Sequence, residues 1–196
     1  MPWKSTKAVL AAAALSTLLA GCTTGRYDGT RAPDPTKAII VGSIVEGYLT
    51  QPHGLMVHIR KVGERYTTVP LATLGAEDDQ PSPNRLGNLF MYEVPAGSYE
   101  IYQWNYRFYR GETQPRPVPI IFSVKAGETA YIGDFSANSL TFCLSNVNGG
   151  DTTVAELKRK YPVLEGREVV NLTARTAFEP WPDSDAEDNG RGLCKI

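Results

Sequence analysis

Side chains able to do acid–base or nucleophilic chemistry are few in this chain. Its two histidines are His53 and His58. His53 stands between Pro52 and Gly54, a turn setting. His58 alternates with Val57 and Ile59, which places it on the polar face of an extended segment. The five-residue spacing puts the two imidazoles on opposite parities, so a shared metal site is not expected, and no cofactor is expected either. Ser136 and Ser139 lie near Asp134, but no histidine is close to them in sequence, and no Gly-x-Ser-x-Gly elbow, phosphate loop or His-Glu-x-x-His helix occurs. The carboxylates of Asp183 to Gly190 alternate as calcium ligands sometimes do. An EF-hand loop needs glycine at its sixth position and glutamate at its twelfth, whereas here Gly190 is eighth and Cys194 twelfth. That segment reads as a solvated acidic tail. The remaining lead is aromatic. Tyr102, Trp104, Tyr106 and Phe108 share one parity and would line one face of a strand, either as sandwich core or as a binding face for a glycan, a peptide or a protein. Arg107, Arg110 and Arg116 either rim such a site or, as scattered arginines usually do, face water.

Cys143 and Cys194 form an even pair once Cys22 is set aside, which invites a disulfide in an oxidising compartment. Cys143 lies in the apolar run Leu140 to Leu144 and is expected to be the buried partner, with Cys194 stapling the tail to it. The net charge is −1 and no basic tract occurs, so nucleic acid is not an expected partner.

The elements that must position these groups are strands. Ala38 to Tyr48 is apolar and β-branched, with Gly42 and Gly47 marking a bulge or a close approach. Leu55 to Val62, Thr67 to Leu74, Leu89 to Val94, Tyr99 to Phe108, Val118 to Val124, Thr129 to Phe135 and Leu140 to Leu144 follow as strands. Thr153 and Glu156 have capping-box spacing ahead of a helix with Val154, Leu157 and Tyr161 on one stripe, and Pro162 stops it. Val163–Leu164, Glu168 to Leu172 and Ala174 to Phe178 read as short final strands. The expected fold class is mainly β: an antiparallel β-sandwich with one short α-helix in the C-terminal half. The boundaries are 1–21 for a leader, 22–37 for a modified cysteine and flexible tether, 38–178 for the sandwich and 179–196 for the acidic tail.

The leader begins with Lys4 and Lys7 and continues as an uncharged, mostly apolar run from Ala8 to Ala20. That run is shorter than the roughly 20 residues a spanning helix needs. It ends in Leu19-Ala20-Gly21-Cys22, which resembles the bacterial lipoprotein signal position for position. The resemblance implies cleavage before Cys22, acylation of its thiol and amine, and a membrane partner engaged through the lipid. Removing 1–21 takes away Lys4 and Lys7 and no acid, so 18 basic and 21 acidic side chains remain and the balance becomes −3. Thr23, rather than aspartate, follows the cysteine; by the same resemblance this favours an outer-membrane location facing the periplasm. Val94-Pro-Ala-Gly-Ser-Tyr99 and Tyr131-Ile-Gly133 resemble envelope lipoproteins with transthyretin-like or immunoglobulin-like sandwiches, with Gly97, Tyr99, Tyr131, Ile132 and Gly133 in the matching roles. The function expected is that of a noncatalytic cell-envelope lipoprotein, a structural, assembly or binding module with an envelope protein or glycan as partner. The alternative is an envelope hydrolase.

Overall fold

The computed structural model describes residues 24–64, 67–108, 116, 118–182 and 194. Cys22, the leader and the acidic stretch 183–190 lie outside the described residues.

Along the chain the strands are β1 (Lys37–Gly47), β2 (Leu55–Lys61), β3 (Thr68–Ala72), β4 (Arg85–Pro95), β5 (Gly97–Tyr106), β6 (Ile120–Val124), β7 (Thr129–Asn138) and β8 (Cys143–Val147). The helix α1 (Gly150–Lys160) and a 3-10 turn (Pro162–Leu164) come next, then β9 (Val170–Asn171), the single-turn helix α2 (Thr173–Thr176) and β10 (Phe178–Pro182). The strands build two sheets, one ordered β10-β8-β7-β1-β4 with β9 beside β7, the other ordered β3-β2-β5-β6. The chain is mainly β, as expected, and its sheets form a sandwich. Two pairings depart from the strictly antiparallel expectation: β1 runs parallel to β7, and β7 parallel to β9. Parallel neighbours need a long connection, and β1 reaches β7 only after the chain has crossed to the second sheet and returned.

The β1 strand explains why its sequence is apolar almost throughout. Ala38, Ile40 and Ile44 face the second sheet, while Ile39 and Val41 face the opposite side and pack against Leu157, Tyr161 and Leu164. A strand covered on both faces reads as a continuous hydrophobic run rather than an alternation. Gly42 marks a close approach, as expected. A Cβ there would lie 2.3 Å from the Gly133 carbonyl oxygen and 2.6 Å from Phe90 Cζ. The register between β1 and β7 slips at this point, with Val41 opposite Tyr131 but Ser43 opposite Asp134. The extra residue bends β7 and aims Asp134 toward the start of α1.

Helix α1 begins earlier than Thr153 and uses no capping box: its N-cap is Gly149, without a side-chain cap. The polar partner comes instead from β7. The Asp134 carboxylate accepts from Ser43 Oγ (2.7 Å), Tyr131 OH (2.8 Å) and Thr153 Oγ1 (3.0 Å), and the Tyr131 hydroxyl accepts the Gly149 N–H (2.9 Å). Negative charge at a helix N-terminus is favourable, so Thr153 is spent on fixing the helix to the sheet.

Four further boundaries differ from expectation. Part of the segment 22–37, expected to be a flexible tether, packs on the fold: the Tyr27 N–H donates to the Met91 carbonyl (2.9 Å), Arg26 bridges to Tyr92, and the Tyr27 ring is buried under the helix side of the sheet. This segment covers the otherwise open edge of β4. The β8 strand starts at Cys143, not Leu140, because Phe142 turns the backbone at φ 49° and leaves Leu140 exposed. The final strands reduce to β9 and β10, with the 3-10 turn and α2 in place of the others. Lastly, residues 179–182, expected in the acidic tail, belong to β10: Trp181 lies opposite Leu144 and is buried in the core.

Candidate functional site

The four aromatic residues read as one face, core or binding surface, do not share a face. Between β2 and β5 the register slips, so that His58 pairs with Gln103 but Ile59 with Ile101. Tyr102 is the extra residue of this bulge. A one-residue insertion inverts the parity of everything beyond it. Tyr99 and Ile101 therefore point inward before the bulge, and Trp104 and Tyr106 point inward after it. Trp104 and Tyr106 are core residues, edge-to-face at 5.6 Å. Tyr102 lies on the outer face, under the Arg60 guanidinium (4.6 Å) and 6.0 Å from the His58 ring. Phe108 follows the end of β5 and is 69% exposed.

The two histidines have different surroundings. His58 Nε2 is hydrogen-bonded to Asn105 Oδ1 at 2.6 Å, and His53 sits in the β1–β2 loop with its ring 5.9 Å from Tyr106. Among the described residues no group of three or more histidine, cysteine, aspartate or glutamate side chains could hold a metal ion. Of the serines weighed for hydrolysis, Ser136 belongs to β7 and Ser139 follows it. The nearby Asp134 is committed to the hydroxyls of Ser43, Tyr131 and Thr153. Burial is the main reason that the Tyr131 phenol is pushed above its ordinary value, and the Asp134 carboxylate adds to it.

Charge is concentrated at three places. At one end of the sandwich the Glu46 carboxylate, fully buried, accepts the backbone N–H groups of His53, Gly54 (3.0 Å) and Leu55 (3.0 Å) and the Thr73 hydroxyl (2.8 Å). It is a clamp that fixes the β1–β2 loop, and nothing in the sequence pattern distinguishes it from an ordinary surface glutamate at a strand end. At the opposite end, Thr24 to Asp28, Thr30 and Arg31 line a cleft of about 610 Å³ together with Lys37, Thr67, Glu93 and Pro95. The buried Glu93 carboxylate is held there by Arg31, by the Asp34 N–H (2.6 Å) and by Lys37 at 3.6 Å. The Arg31 guanidinium beside it holds the Glu93 carboxyl below the usual carboxylate range.

The third place is the seam between β6 and β10. A cleft of about 530 Å³ is lined there by Arg116, Val118, Pro119, Ile120, Arg175 and Phe178, with Asn146 and Glu179 also at its wall. The Asn146 amide, 2% exposed, donates to the carbonyls of Ile132 (3.0 Å) and Thr176 (2.7 Å), which ties α2 to the sheet and so fixes the positions of Arg175 and Phe178. Arg116 is half-buried rather than fully facing water.

Cys143 and Cys194 are a disulfide-compatible pair, with Cα atoms 5.5 Å apart. The expected burial is reversed: Cys194 is 9% exposed and Cys143 is the half-buried member. Among the described residues no helix is long and apolar enough to cross a membrane. No protein family, no curated protein and no solved structure matches this chain.

Proposed function

We propose that this protein is a noncatalytic lipoprotein of the bacterial cell envelope, anchored by acyl groups on Cys22 and serving as a structural, assembly or partner-binding module. The observation that carries the reading is the pairing of Cys143 with Cys194 at disulfide distance. A structural disulfide persists in an oxidising compartment, and this geometry is independent of the leader pattern that points to the same place. The entry point of the fold supports it too. The Thr24 N–H, two residues beyond Cys22 in sequence, donates to the Thr68 carbonyl (3.4 Å). Acyl chains on Cys22 would seat the end of the sandwich carrying Lys37, Pro95 and Gly97 against the bilayer. The opposite loops, with exposed Leu49, Phe108 and Leu140, would then face away from it. Polar groups of the kind catalysis uses are bound into the scaffold: Glu46 into a loop clamp, Asp134 into a helix tie, His58 to Asn105.

The test is metabolic labelling with palmitate followed by membrane fractionation of wild-type and Cys22→Ser protein. Wild-type protein is expected to take up label and sediment with membranes. The variant should remain unlabelled, either as uncleaved precursor or as released protein. Equal labelling and cleavage of the two would overturn the reading.

A further inference from the structure

Arg116 and Arg175 both line the seam cleft, and neither has an acidic side chain within ion-pair distance among the described residues. Among the described residues the Arg116 guanidinium donates from Nη1 to the Glu179 backbone carbonyl at 3.3 Å. Its plane is held by two aromatic rings, with Cζ 5.3 Å from the Phe178 centroid and 5.6 Å from that of Trp181. Burial pushes this guanidinium below its ordinary value, and the nearby Glu179 carboxylate offsets that only in part. Placing a cation in a partly desolvated setting is costly to the extent that its partners do not offset it. Arg175 brings a second guanidinium to the same cleft from the end of α2, on a segment clamped by Asn146.

We propose that the seam cleft is a binding site for a carboxylate carried on a small apolar or sugar body. The planar guanidinium of Arg116, pre-oriented by the rings beneath it, presents a fork that matches a carboxylate bidentately, and Arg175 supplies the second donor. The walls formed by Val118, Pro119, Ile120 and Phe178 suit the body of such a molecule, and a volume of about 530 Å³ accommodates one of modest size. Glu179 at the rim selects between oxyanions: it repels a dianionic phosphate more strongly than a monoanionic carboxylate. The inference is independent of the membrane anchor, because it rests on groups at the side of the sandwich.

The experiment is NMR titration of the arginine Nε–H signals of the folded mature protein. The probes are benzoate and glucuronate, with benzamide and glucose as neutral counterparts and inorganic phosphate as the competing oxyanion. At least one of the two carboxylates is expected to shift the Arg116 and Arg175 signals saturably. Arg116→Gln and Arg175→Gln should each weaken that binding about tenfold or more, and Arg116→Lys, which keeps the charge and loses the fork, should weaken it as well. Arg107→Gln, on the loop after β5, should leave it unchanged. The proposal is overturned by the absence of a saturable shift with either carboxylate at tens of millimolar. It is equally overturned by an equal response to benzamide or glucose, or by tighter binding of phosphate than of both carboxylates.

Discussion

Replacing Glu46 by alanine would remove the acceptor for four donors at once: the amides of His53, Gly54 and Leu55 and the hydroxyl of Thr73. Hydrogen bonds to a charged group contribute about 1.5–3 kcal/mol each, but they are not additive. Part of the loss is also returned, because the buried carboxylate no longer has to be desolvated. What remains is the cost of leaving buried donors without a partner, about 1–3 kcal/mol apiece for those that water does not reach. Gly54 and Leu55 are buried and His53 is half-buried, so two amides carry most of that cost. The net expectation is a loss of about 3–5 kcal/mol, a large share of the roughly 5–15 kcal/mol that stabilises a domain. Glu46→Gln keeps one acceptor oxygen and should lose about half as much. Urea denaturation measures the change through the midpoint and slope. Amide exchange locates it, since the protection of Gly54 and Leu55 should fall by more than that of β7. A Glu46→Ala variant that loses less than about 1 kcal/mol and keeps both amides protected would refute the view of Glu46 as the clamp of the β1–β2 loop.

Gly133 adopts φ 114°, and a Cβ there would stand 2.1 Å from Asn146 Oδ1; Gly133→Ala should cost about 3 kcal/mol by denaturation, and a neutral result would contradict the close approach. The Cys143→Ser/Cys194→Ser variant should lose about 2–4 kcal/mol and become insensitive to reductant, whereas alkylation of both thiols in wild-type protein unfolded without reductant would remove the bond from the account. Arg31 lowers the Glu93 carboxyl below its unfolded value of about 4.3. The stability it contributes is therefore complete above that value and lost as the pH falls through the lower, folded one. Arg31→Ala should accordingly show a shallower fall in stability on acidification than wild type, and identical acid profiles would contradict the pairing.

The fold class was legible because the strongest sequence signals are long. The apolar, β-branched run of β1 needed no tertiary information to be read as a strand. The cysteine pair could be read by elimination, although its burial could not: the turn at Phe142 places Cys143 at the start of β8 rather than inside it. The aromatic face failed for a different reason. Parity counting assumes an unbroken strand, and a single bulge at Tyr102 sends Trp104 and Tyr106 to the core. Thr153 and Glu156 have the spacing of a cap, yet the helix starts at Gly150 and Asp134 claims the threonine hydroxyl. Tyr27 is a lone aromatic in a polar segment, with no periodicity to announce that it covers the edge of β4. The seam cleft joins Arg116 to α2 and β10, elements far apart along the chain, so no local pattern marks it.

The central claim, anchorage through Cys22, is tested most directly by mass spectrometry of the N-terminal peptide of the mature protein isolated from its native membrane. A chain that begins at Cys22 and carries a diacylglyceryl thioether, with or without an N-acyl group, is the predicted result. A chain that begins elsewhere, or one that begins at Cys22 with a free thiol, would contradict it.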